Sequence, residues 1–162
     1  MKSLLTFFVI LFTLTSCKAK MQNEEKREEF LFTKHGELSI VTSQRDSLSF
    51  DIEIADTPEK NALGLMYRYS MQEKQAMFFL FDYERTQAFW MKNTYIPLDI
   101  IFIDSNLKIV SIVENCMPLN EESLSSQLPA LYALEINAGL CRQLKIEVGQ
   151  TITYKDFRDN IN

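Results

Sequence analysis

The chain predicts a mostly β, α+β fold: a small, largely antiparallel barrel-like or sandwich domain with one or two short helices. Three observations predict it. Apolar and polar residues alternate over Leu48–Ile54. Continuous apolar runs at Ala76–Phe81 and Leu98–Ile103 are flanked by polar, turn-forming residues. Helix signals occur only after Thr57 and after Gly139. Many short strands with so little helix favour a strand-built core.

Taken in order, Leu38 and Ile40 mark a first strand, and Leu48, Phe50, Ile52 and Ile54 the apolar face of a second, with Ser49, Asp51 and Glu53 turned outward. Thr57-Pro58-Glu59-Lys60 is a helix start, with Thr57 as N-cap, Pro58 at the first helical position and Glu59 favourable to the dipole; Gly64 ends it. The apolar run Ala76–Phe81 is a buried strand, and Gln87–Lys92 a separate one. Leu98–Ile103, Asp104-Ser105-Asn106 and Leu107–Val113 form a hairpin around a polar turn. Pro118–Pro129 reads as a long exposed loop, Ala130–Ile136 as a strand, Leu140–Leu144 as a short helix and Thr151–Lys155 as the last strand. The lone His35 is read as a surface residue without a role.

The amino terminus is of another kind. Met1-Lys2 precedes an apolar run, Leu4–Leu14, and small residues before Cys17. That is the layout of a secretory signal, too short to cross a bilayer comfortably. Leu14-Thr15-Ser16-Cys17 resembles the lipobox of bacterial lipoproteins, which implies removal of residues 1–16 and acylation of Cys17. The alternatives are an ordinary cleavable signal and an uncleaved anchor helix. Residues 17–34 then comprise the lipidated cysteine and a flexible tether, of which the dozen almost wholly polar residues 18–29 are expected to reach roughly 20 Å as a coil. The globular domain is placed at 35–156 and a tail at 157–162. The expected location is extracytoplasmic, on the cell membrane or outer membrane, in the periplasm or at the cell surface.

Net charge is −5, or −6 once Lys2 leaves with the signal. An acidic chain without a basic stripe excludes a nucleic-acid partner. Beyond Cys17, Cys116 and Cys141 stand outside any CxxC or metal-ligand spacing; they are read as two separate buried thiols, with a disulfide as the alternative.

Four segments carry a family resemblance: Gly64-Leu65-Met66-Tyr67-Arg68, Phe89-Trp90-Met91-Lys92-Asn93-Thr94, Ile96–Asp104 and Leu134-Glu135-Ile136-Asn137-Ala138-Gly139. In this order they resemble the bacterial and archaeal family called domain of unknown function 192, from about Leu38 to Tyr154. The resemblance implies a compact β-rich domain, often secreted or membrane-anchored, with no established activity. Cys116 and Cys141 stand where small or polar residues are expected in the family.

No GxSxG, HExxH, GxxxxGK or GxGxxG pattern occurs, and a single histidine leaves little room for a histidine-based triad. No catalytic residue, metal set or cofactor is assigned. Polar residues inside apolar segments remain. One reading makes them an internal ion-pair and hydrogen-bond network that fixes strand register. The sharper reading is a ligand cleft: Trp90 as an apolar wall, Arg68 and Lys92 as positive charge, and Asn93, Asp99, Glu135 and Asn137 as polar groups. Its ligand would be a small molecule or a glycan of the cell envelope. Partners are thus the membrane, through the anchor, and such a ligand, with a protein partner left open. Two alternatives are an interaction scaffold using the acidic Glu121-Glu122-Ser123 loop, and a glycan-acting enzyme with Asp99 and Glu135 as paired carboxyls.

Overall fold

The computed structural model describes residues 31–42 and 46–158; the signal segment, Cys17 and most of the tether lie outside them. The elements are β1 (Gly36–Val41), β2 (Ser47–Ala55), α1 (Pro58–Leu63), β3 (Gln75–Phe89), β4 (Leu98–Ile103), β5 (Ile109–Cys116), β6 (Leu124–Asn137), α2 (Leu140–Leu144) and β7 (Thr151–Asp156). The strands form a single sheet in the order β5-β4-β6-β3-β2-β1-β7. Every pairing is antiparallel except β2 with β3. That parallel step requires a crossover, supplied by α1 and the loop 64–74. Thr57 caps α1 by accepting from Lys60 N at 3.3 Å, and Gly64 ends it at φ 47°.

The sheet curls into a half-barrel. Its two edges meet at one end, where Lys108 bridges Thr151 and where Ile109 N and Ile152 N donate to Gln150 O and Leu107 O, both at 2.8 Å. Two packed sheets, the sandwich alternative, are not formed. The pleat sends alternate side chains into two cores. Ile52, Phe78, Ile101, Leu134 and Ile152 fill one face of the sheet. Met77, Phe79, Leu98, Ile100, Phe102 and Ala133 build the other, under Leu65, Met91 and Ile96 from loops. Strand β4, between them, is buried at all six positions.

Three expectations need correction. The segments 76–81 and 87–92 belong to one strand that ends at Phe89, carried through exposed Asp82–Thr86 by shifts of register against β6. The expected loop 118–129 holds the first half of β6, because Ser126 is buried and satisfies backbone: its Oγ accepts from Gln87 N at 2.9 Å and donates to Leu128 O at 2.6 Å. His35 is half-buried and accepts from Ile54 N at 2.9 Å through Nδ1, so it extends the β1–β2 edge. Cys116 and Cys141 are both buried free thiols, as their separate reading expected.

Candidate functional site

Across the middle of the sheet, Glu53 on β2 lies beside Met77 on β3, Met77 beside Glu135 on β6, and Glu135 beside Ile100 on β4. The pleat turns this row toward the loop-covered face. Arg68, in the loop after α1, closes over it. Its Nη1 and Nη2 donate to Glu53 Oε2 and Oε1 at 2.8 and 2.7 Å, a two-pronged pair only 7% exposed on the arginine side. Glu53 Oε2 also accepts from Thr33 N at 3.1 Å, where the chain enters the domain.

Glu135 is 4% exposed, and its Oε2 has no hydrogen-bond partner; Arg68 Nε is likewise buried without one. Burial pushes the Glu135 carboxyl up to about 8, with the Arg68 charge opposing the shift. At neutral pH Glu135 is therefore mostly a neutral acid.

The loop 64–74 is pinned at both ends of this row. Asn137 Nδ2 donates to Met71 O at 2.9 Å and Gln72 O at 3.3 Å. Tyr67 N donates to Asn93 O at 2.8 Å, and Asn93 Nδ2 returns a bond to the Tyr67 hydroxyl at 2.9 Å. Both residues have positive φ, 64° and 54°, which lets the two turns meet back to back. Leu119 N donates to Thr94 O at 3.1 Å and Met91 N to Asn120 O at 2.8 Å, so a third loop joins them. On these three loops the side chains of Tyr67, Tyr69, Trp90, Tyr95, Met117 and Leu119 are exposed. Tyr69 and Tyr95 stack in parallel at 4.9 Å, and Lys92 Nζ lies 5.0 Å from the Trp90 ring centroid.

Asp99 is elsewhere. It is opposite Ile136 and points to the face of Ile101 and Leu134. It is fully buried, yet paired with donors: Oδ1 accepts from Asn115 N at 2.8 Å and Oδ2 from Cys141 N at 2.9 Å. One carboxylate thus ties the end of β5 to α2. Glu135 faces the opposite side of the sheet, so no one bond of a substrate sits between the two carboxyls. The thiols beside Asp99 are poor nucleophiles. Burial, then the charges of Glu135 and Asp99, pushes Cys116 up to about 11, and burial and Asp99 push Cys141 higher still. Among the described residues no three His, Cys, Asp or Glu side chains are grouped to hold a metal ion.

Of the seven residues proposed for a cleft, Arg68 and Glu135 share the buried polar group, and Asn137 and Asn93 fasten the loop that carries Arg68. Trp90 and Lys92 belong to the exposed aromatic loops, and Asp99 stands apart. Sequence reasoning missed Glu53, Tyr69 and Tyr95. Glu53 was read as an outward residue of β2; the signal was Arg68 itself, since a guanidinium flanked by apolar sequence requires a carboxylate on a neighbouring strand. The Tyr-Arg-Tyr alternation at 67–69 puts Arg68 inward and Tyr69 outward.

Known proteins of similar structure point the same way about fold and leave function open. A crystal structure of a candidate transcription regulator from Sinorhizobium meliloti 1021 is 35% identical, with a TM-score of 0.72 over 74% of this chain and 92% of that one. A protein of unknown function from Novosphingobium aromaticivorans DSM 12444 is 34% identical, with a TM-score of 0.70 over 72% and 83%. No curated protein matches the chain. The profile of an uncharacterised family, described as Uncharacterized ACR, matches residues 40–154, which span most of the sheet and all three loops. The chain belongs to that family, domain of unknown function 192.

Proposed function

We propose that this protein is a binding or accessory module of the cell envelope, acylated at Cys17, held outside the cytoplasm, and engaging its partner through the three loops that expose Tyr69, Trp90, Tyr95, Met117 and Leu119. The observation that carries the reading is a division of labour among its side chains. Two of the three buried carboxyls are consumed by the fold, Glu53 by Arg68 and Thr33 N and Asp99 by two backbone amides, and the third, Glu135, is sealed beneath the loops at 4% exposure. The aromatic side chains that could recognise something stand outside, on loops braced by Arg68, Asn93 and Asn137. Exposed large apolar side chains gathered in one place mark interaction surfaces. Aromatic rings combined with a few polar tips suit an envelope component, whether a glycan or a lipid.

Trp90 is the chain's one tryptophan and reports directly on the loops. Purified protein titrated with glycans, peptidoglycan fragments or lipid vesicles should change Trp90 emission with at least one of them. Replacing Tyr69 and Tyr95 together by serine should weaken that response at least tenfold without lowering thermal stability. Silence across the whole panel would overturn the reading. Mass spectrometry should find Cys17 as the acylated first residue.

A further inference from the structure

We propose that the partner of the three-loop face is the lipid bilayer itself: Tyr69, Trp90, Tyr95, Met117 and Leu119 sit at headgroup depth in the membrane to which Cys17 is attached. This rests on the binding face just described and names what covers it.

The first support is chemical. Among the described residues, twelve large apolar side chains are exposed, and half of them lie on these three loops. Three of the six are tyrosines and one is the tryptophan, side chains with an apolar body and a polar tip that favour the membrane–water boundary. Met117 and Leu119, 67% and 55% exposed, are aliphatic and would reach deeper. Lys92 lies over the Trp90 ring, where its stem adds apolar contact while its ammonium stays at headgroup level.

The second support is positional. The tether reaches the domain at Thr33, whose N–H donates to the same Glu53 carboxylate that Arg68 grips. Arg68 is flanked in sequence by Tyr67 and Tyr69. The chain therefore leaves the domain beside the aromatic face, not on the far side of the sheet. Only 13 residues separate Cys17 from Leu31, a length that would span roughly 20 Å were it a coil. A short lead attached beside an apolar face holds that face near the lipid at high effective concentration. A glycan or a protein partner would require no such attachment point.

The third support is charge. A chain whose net charge of −5 becomes more negative once Lys2 leaves with the signal gains nothing from anionic headgroups, so the contact is apolar and interfacial and should not weaken with salt.

The test uses the acylated full chain in phosphatidylcholine vesicles, with or without bromine at shallow acyl positions. Brominated lipid should quench Trp90 emission at least twofold, at low and high salt alike, and the vesicles should shield Trp90 from iodide. Met117→Asp combined with Leu119→Asp changes only exposed side chains; it should abolish bromine quenching with the thermal midpoint unchanged. Trp90 equally open to iodide in vesicles and in detergent, with no bromine quenching, overturns the inference. If glycans or peptidoglycan fragments still change Trp90 emission in that case, the binding face stands with a different partner. If nothing does, both fall.

Discussion

Arg68 and Glu135 share one buried neighbourhood and are stabilised in different ways. Arg68 is held by Glu53 on two prongs, with its Nε buried and unpartnered. Replacing it with methionine fills part of its volume but strands Glu53 among apolar side chains. Loss of one partner of a buried pair costs about 3 kcal/mol, so Arg68→Met should lower stability by that order in chemical denaturation. Glu135 is buried with an unpartnered oxygen and is held mostly neutral near pH 7. Its carboxyl binds a proton more tightly in the folded than in the unfolded chain. Its contribution is thus fully present below about pH 4.5 and is lost as the pH rises through about 8. The loss approaches 1.4 kcal/mol per pH unit inside that window. Glu135→Gln cannot ionise, so its stability should exceed that of the parent above pH 8, and the difference should close toward pH 4.5. A constant difference across that range would contradict the assignment.

At the scale of elements, the half-barrel depends on how closely its strands approach. Gly36 begins β1 between β2 and β7. A Cβ there would stand 2.1 Å from Lys155 O, a backbone atom that cannot move aside alone. Gly36→Ala should therefore wedge β7 off β1, cost about 1–3 kcal/mol as overpacking does, and speed amide exchange in β7 more than in β4. The same scale shows what sequence can carry. Strong alternation or a run of apolar residues between clear turns identified β1, β2, the β4–β5 hairpin and β7, capping residues identified α1, and the break at Asn137-Ala138-Gly139 marked the start of α2. β3 and β6 were broken or shortened because their local sequence changes character. Asp82–Thr86 is polar since that stretch is exposed, although its backbone continues the strand. Ser125-Ser126-Gln127 looks like loop, although Ser126 is buried and bonded to backbone at a register shift. A periodicity argument has no access to a polar side chain buried by such bonds. The site was legible by residue and not by grouping: the pleat separates Asp99 from Glu135, and only the β2–β3–β6 register brings Glu53 under Arg68.

For the molecule as a whole, the sheet has one face filled by its own core and another covered by loops whose outer side is aromatic. Thr33 N reaches the Glu53 carboxylate that Arg68, from one of those loops, also grips. Under the proposal made above, orientation on a membrane would follow from two attachments, the lipid on Cys17 and the aromatic face, with the acidic 121–122 segment outside both. Hydrogen–deuterium exchange of the acylated chain, compared between vesicles and detergent, reads this orientation most directly. Exchange should be slower in vesicles at 65–69, 90–95 and 117–120, and unchanged along β7 and at 121–128. Protection at 121–128 with none on the aromatic loops would contradict it.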